Sequence, residues 1–166
     1  MTTARSGDPH LLGPGLLPTP FTADDIRVGC PDGRRIRMQV EEGGRVVAFR
    51  ENTFRDGDAD GAIIESTRFA ADGTPEGPPE AGRSTWRELQ EHASFEAART
   101  TIVPERLDTP TGWLDCLRYT VREDDGSIED FWFARSAPGM PIRYRTTVDG
   151  RVTREVTVIE NVLPPR

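Results

Sequence analysis

The chain contains no lysine, and all 21 of its basic side chains are arginine. Without lysine, it has neither a Schiff-base nucleophile nor the lysine of a phosphate-binding loop, so these reaction classes are excluded. The exclusive use of arginine is typical of proteins encoded in GC-rich bacterial genomes.

Cysteine and histidine are also scarce. Cys30 and Cys116 are too few for a secreted disulfide framework and form no Cys-x-x-Cys pair. We interpret Cys116 as part of the core and Cys30 as a loop residue. His10 precedes the predicted domain, so His92 is the only candidate imidazole catalyst.

Long apolar runs are absent, so no membrane-spanning segment is expected. The first 21 residues contain only leucine pairs broken by glycine and proline, unlike the continuous apolar segment of a secretory signal. We therefore expect a cytoplasmic protein. Its net charge of −7, with no basic cluster, argues against nucleic acid as a partner.

The 166 residues suffice for one domain with its own core. Residues 1–24 are rich in proline and glycine and are predicted to be an extended or disordered lead-in. Residues 25–166 are predicted to form the single domain.

Alternating apolar residues predict strands through most of this domain. Ile36, Met38 and Val40 share one face of a strand, and the glycine turn at residues 43–44 leads to a second strand containing Val47 and Phe49. A third run covers residues 62–69, and residues 72–82 contain too much proline and glycine to be anything but a loop.

One helix is predicted after this loop. Thr85 and Glu88 have the spacing of a capping box, in which each side chain bonds the backbone of the other residue. Trp86, Leu89 and Ala93 form its apolar stripe. The fold class predicted is mostly β (α+β): an antiparallel curved sheet or half-barrel of about seven to nine strands, with one main helix packed across it.

The register of the last hairpin depends on its turn. A two-residue turn at Asp149-Gly150 sets Tyr144 opposite Glu155, which mismatches the apolar faces. We therefore predict a three-residue loop, residues 148–150. This loop would place Ile142 opposite Val156.

A family resemblance is carried by residues 117–162. A strand ending in Trp132 and Phe133 is followed by Gly139-Met140-Pro141, a further strand, a turn at Gly150 and a valine-rich strand. This order resembles the carboxy-terminal strands of LolA/LolB-like half-barrels. The resemblance implies a concave apolar groove, capped by a helix, that holds an acyl chain or another apolar ligand.

A possible calcium loop is found in the stretch FRDGDADGAIIE. Asp56, Asp58 and Asp60 alternate as at positions 1, 3 and 5 of an EF-hand loop. Counted from Asp56, however, position 12 is Thr67 and not the bidentate glutamate that such a loop requires. We interpret the stretch as a polar hairpin turn, with calcium binding by the three aspartates as the alternative. No cofactor is predicted.

Two functions remain open. The first is a non-enzymatic binding or accessory domain that holds a small apolar ligand or a partner protein. Its ligand-binding candidates are the aromatic residues of the later strands: Trp113, Tyr119, Trp132, Phe133 and Tyr144.

The alternative is a small barrel enzyme, such as an isomerase, cyclase or hydrolase. Glu88 and His92, at i and i+4 on one helix, would supply its acid–base chemistry. This hypothesis gains if His92 faces a cavity near Tyr119 or Cys116, and it loses if His92 lies on the outer helix face.

Overall fold

The computed structural model describes residues 7–166, which form a nine-stranded antiparallel sheet with two α-helices on one face. The sheet is open, and its strand order is β4-β3-β2-β1-β9-β8-β7-β6-β5. This architecture confirms the predicted fold class. The strands are β1 (Arg35–Glu42), β2 (Arg45–Arg55), β3 (Gly61–Ala70), β4 (Glu80–Thr85), β5 (Thr100–Thr109), β6 (Gly112–Arg122), β7 (Ile128–Ala134), β8 (Arg143–Val148) and β9 (Arg151–Val162).

The helices are α1 (Ala23–Gly29) and α2 (Trp86–Glu91), and a short 3-10 turn covers Ala97–Arg99. The capping box predicted for α2 is confirmed, because Thr85 and Glu88 bond each other's backbone N–H groups. Helix α1 begins with a second capping box, between Thr22 and Asp25, that the sequence analysis missed. Among the described residues, no helix is long and apolar enough to cross a membrane.

The core lies between the sheet and the two helices. Ile36, Met38 and Val40 all face the helices and are at most 1% exposed, as their alternation predicted. On β2 the helix-facing residues include Ala48 and Phe54, which share the face of their partners in β1 and β3.

Phe49 therefore points away from the helices, where it lies beside Phe69 with the Arg37 guanidinium over both rings. The Arg37 guanidinium carbon is 4.7 Å from the Phe69 ring centre and 5.3 Å from that of Phe49. This contact shields two outward aromatic side chains from water.

The predicted register of the last hairpin is wrong. Asp149 and Gly150 form a two-residue turn with φ values of 49° and 74°, and Tyr144, not Ile142, lies opposite Val156. The register shifts by one residue next to Thr146, so that Thr153 is left over as a bulge. The bulge, and not a longer loop, aligns the apolar faces.

The loop predicted for residues 72–82 is too long. Strand β4 begins at Glu80 and pairs with β3, with Ala81 opposite Glu65 and Gly82 opposite Ile64. The strand escaped prediction because its residues are mostly exposed and show no apolar alternation.

The lead-in packs against the domain over its described part. Leu17 N–H bonds the Phe95 carbonyl, Thr19 is 2% exposed, and Phe21 belongs to the core. Residues 7–22 therefore form an irregular segment, with turns at residues 9–10 and 14–15, that packs against the core. Residues 1–6 lie outside the described part of the chain.

Candidate functional site

A groove of about 460 Å³ lies between the helices and the sheet. Its volume is within the range of small-molecule pockets. Four elements supply much of its apolar lining: α1, α2, the end of β7 and the loop before β8. The apolar residues are Ile26, Phe54, Ile64, Leu89, Ala93, Phe131, Phe133, Met140, Pro141 and Tyr144.

Gln90 fixes the helices above the groove. Its side-chain carbonyl accepts a hydrogen bond from Ala23 N–H at the start of α1, and its amide donates to the Pro9 carbonyl and the Thr19 hydroxyl. These bonds measure 2.9–3.0 Å, and the side chain is 2% exposed. A single buried amide thus joins α1, α2 and the lead-in.

Two of the five predicted aromatic residues line the groove. Phe133 and Tyr144 contribute to its wall, together with Phe131, which stacks between them. Tyr119 lies deeper, at 1% exposure, and its hydroxyl donates to the Pro18 carbonyl at 2.7 Å. Tyr119 therefore supports the aromatic wall from the core.

The two tryptophans among the five lie elsewhere. Trp113 is 60% exposed, next to the Arg106 guanidinium. Trp132 is 2% exposed on the opposite face of the sheet, because it alternates with Phe131 and Phe133. Neither lines the groove.

Trp132 is buried by charged side chains. The guanidinium carbons of Arg118 and Arg145 lie 5.0 and 5.2 Å from its ring, and its indole N–H donates to the Glu105 carboxylate. Arg118 also bonds Asp130 at 3.0 Å, which raises the pKa of its guanidinium. The burial of Trp132 on the outer face of the sheet is thus explained by contacts within the protein, and no ligand is needed to account for it.

Glu88 and His92 are not assembled as an acid–base pair. The Glu88 carboxylate accepts the Thr85 N–H at 2.8 Å, and no hydrogen bond or ion pair within the described part of the chain joins it to His92. His92 is exposed at the edge of the groove. The Glu88 carboxylate therefore caps the N-terminus of α2 and is not placed to act with His92, as the enzyme hypothesis requires.

Neither cysteine is placed as a nucleophile. Cys116 lies opposite Ala134 and Glu105, on the face of the sheet that bears Trp132, and not with His92. Burial raises the pKa of Cys116 and of Cys30, which disfavours the reactive thiolate. Cys116 is core, as predicted, whereas Cys30 is the buried C-cap of α1.

The aspartate-rich stretch forms the turn between β2 and β3. Asp58 accepts bonds from the N–H groups of Asp60 and Gly61, and both its oxygens bond Arg83. These contacts, led by the Asp60 N–H, hold the pKa of Asp58 below its ordinary value. The predicted polar hairpin turn is confirmed.

Calcium binding by this turn finds no support in its contacts. Asp56 pairs with Arg55, and the Asp58 oxygens are already bonded to Arg83. Within residues 7–166, no cluster of three or more histidine, cysteine or acidic side chains is placed to hold a metal ion.

The sequence analysis missed the polar side of the groove. Arg50 and Asn52 of β2, Ser66 of β3 and Ser84 of β4 line it from the strands nearest one edge of the sheet. Arg50 and Asn52 alternate with Ala48 and Phe54 on the inner face of β2, and this spacing is the signal that could have found them.

Several solved structures share the fold. A putative exported protein with a YmcC-like fold from Bacteroides fragilis aligns with a TM-score of 0.53 and 8% identity, over 80% of this chain and 97% of that protein. MucB in complex with MucA(peri) aligns at 0.54 and 9%, and MucB alone at 0.52 and 10%.

The MucB alignments include 81% and 82% of this chain but only 51% and 55% of the MucB chains, so the chain spans about half the length of MucB. At these identities the likeness establishes the fold alone. No protein-family model and no curated protein sequence matches the chain.

Proposed function

We propose that this domain is a binding or accessory domain whose groove holds a small apolar ligand, such as an acyl chain. One observation supports this most strongly: the sheet and helices leave an open groove of about 460 Å³ with a largely aromatic and aliphatic lining. The resemblance of the last strands to LolA/LolB-like half-barrels is consistent with it.

The enzyme alternative has less support. The Glu88 carboxylate caps α2, and the His92 side chain, at the edge of the groove, has no hydrogen-bond or ion-pair partner within residues 7–166. A general base must lie within hydrogen-bond reach of the proton that it removes. The carboxylate that would orient His92 for this role is bonded to the Thr85 N–H instead. The groove's polar residues are better suited to binding than to proton transfer.

The ligand proposal is tested with N-phenyl-1-naphthylamine, a neutral apolar fluorophore. We expect saturable binding to the wild-type protein and its loss in Ser66→Trp, which fills the groove from β3. Thr67→Trp is the matched control, because the next residue of the same strand points to the opposite face. The control should bind as the wild type does.

Two results would overturn the ligand proposal. The first is fluorescence that rises without saturation. The second is equal binding by the wild type and Ser66→Trp when circular dichroism shows both to be folded.

A partner protein is the second candidate. MucB, which shares the fold, is known in complex with MucA(peri). In this chain Val28 and Leu163 are 67% and 60% exposed, and both line a depression beside Pro138. Exposed apolar residues grouped in this way are typical of protein contacts.

The partner candidate predicts that tagged protein, expressed in its native host, retains a specific protein. Val28→Asp with Leu163→Asp should release it, whereas Ser66→Trp should not. Release by Ser66→Trp alone would instead assign the partner to the groove. The cytoplasmic location stays a prediction that fractionation of the same host would check.

A further inference from the structure

The groove differs in charge from the protein around it. The chain has a net charge of −7, yet no carboxylate is found among the described residues that line the groove. Arg50 and His92 are the basic side chains of its lining. The groove therefore favours an anion, in contrast to the protein as a whole.

Arg50 has no partner within the protein. It is half-buried, and no hydrogen bond, ion pair or aromatic contact engages its guanidinium among the described residues. Its neighbours across the sheet are Met38 and Arg68, and Arg68 is itself paired with Glu76 at 2.6 Å. A guanidinium that lines an apolar groove without an acidic partner is suited to bind the anionic group of a ligand.

Asn52 and Ser66 are the polar groove residues nearest to Arg50, two positions along β2 and β3. The Ser66 hydroxyl donates to the Asn52 side-chain carbonyl at 2.7 Å, which leaves the Asn52 NH₂ group free to donate elsewhere. The Ser84 hydroxyl also lines the groove, but it lies opposite Ala62, six residues along β3 from Arg68, the partner of Arg50, and is therefore too far from Arg50 to bind the same carboxylate. Arg50 and Asn52 thus offer donors for the several lone pairs of a carboxylate.

The donors and the aromatic wall lie on opposite sides of the groove. Arg50 and Asn52 lie on β2, while Tyr144 lies on β8, with β1 and β9 between these strands. Three strand spacings give a separation of about 14 Å along the sheet. An occupant that fills the groove is therefore polar at one end and apolar along the rest.

We propose that the groove binds an anionic amphiphile with one alkyl chain, a fatty acid being the simplest, and that Arg50 holds its carboxylate. The alkyl chain lies along the apolar lining of the groove toward Phe131, Met140 and Tyr144. The inference rests on the proposed function, because it names the ligand class of the same groove. Arginine is suited to this role because its planar guanidinium binds both carboxylate oxygens.

Displacement of N-phenyl-1-naphthylamine tests the inference. Dodecanoate, dodecanol and acetate are compared at a pH where the acids are ionised. We expect dodecanoate to bind at least about tenfold more tightly than dodecanol, since a hydrogen-bonded charge pair typically contributes this much. Acetate should not compete, because it lacks the chain that fills the groove.

Two variants assign the effect to one side chain. Arg50→Gln should bind dodecanoate and dodecanol equally while retaining the fluorophore. Arg68→Gln is the matched control, because Arg68 lies directly opposite Arg50 on β3 but is already paired with Glu76. This variant should keep the preference for the acid.

The outcomes separate this inference from the proposed function. Equal binding of acid and alcohol by the wild type, or a preference that persists in Arg50→Gln, overturns the role of Arg50 and leaves the apolar-ligand proposal standing. Competition by acetate as strong as that by dodecanoate would show a simple anion site and overturn the amphiphile. No binding of any apolar probe overturns both.

Discussion

At the scale of single residues, the burial of Tyr119 makes the stability of the domain fall at alkaline pH. Burial raises the pKa of Tyr119 to about 12, from an ordinary value of 10.0. Because the folded state favours the protonated phenol, this contribution is fully present below about pH 10 and is lost as pH rises through about 12. We expect roughly 1 to 2 kcal/mol of unfolding free energy to disappear in this interval.

The measurement is urea unfolding at a series of alkaline pH values for the wild type and Tyr119→Phe. No lysine titrates in this range, so the cysteines and tyrosines dominate the pH dependence. The variant should show a shallower decline, even though it starts lower because the Pro18 carbonyl loses its donor. An unchanged slope would contradict the assignment to Tyr119.

Arg34 is a buried cation whose hydrogen-bond partners among the described residues are all neutral. It is 3% exposed and donates to the Gly29 and Pro138 carbonyls and to Asn161. Arg34→Met should lower the unfolding free energy by at least about 3 kcal/mol, because it leaves buried acceptors unpaired.

The control for Arg34 is Arg45→Met, at the exposed start of β2. Its effect on the free energy of unfolding, measured by urea denaturation, should stay within about 0.5 kcal/mol. Equal midpoints for the two variants would show that the carbonyl contacts of Arg34 contribute nothing to stability.

At the scale of elements, the capping box of α2 has a structural role that two substitutions distinguish from a catalytic one. Thr85→Ala should cost about 1 kcal/mol in unfolding free energy. Glu88→Gln should cost little, because glutamine makes the same bond to the Thr85 N–H. Thermal unfolding of both variants checks this, and equal losses would contradict it.

The elements predicted best from sequence are those whose signal is local. The inner face of β1 and the capping box of α2 depend on residues within a few positions of one another, and the structure has both. Strand β4 is held by pairing with β3, and the Thr153 bulge by the match of two strands, so neither left a local pattern.

The candidate site was predictable only in part, for the same reason. Phe133 and Tyr144 were found because they are aromatic. Arg50 was missed, since an arginine in an alternating strand is usually solvent-exposed, and its place in the groove depends on the helices above it.

At the scale of the whole molecule, strands distant in sequence form the centre of the sheet. β1 pairs with β9, and the edges are β4 and β5. We expect the amides of β1 and β9 to exchange hydrogen only on global unfolding, and those of β4 to exchange by local opening. Hydrogen–deuterium exchange followed by mass spectrometry checks this, and β4 protection equal to that of β1 would contradict it.

The central position of β9 also constrains how the protein is made in the cell. Until the ribosome has released β9, the edges of β1 and β8 stay unpaired beside apolar side chains that the finished fold buries, Met38 and Ile142 among them. A nascent chain in this state exposes both apolar surface and free strand edges, which promote aggregation. The two halves of the sheet can pair only after translation has passed β9, and the growing chain exposes both strand edges until then.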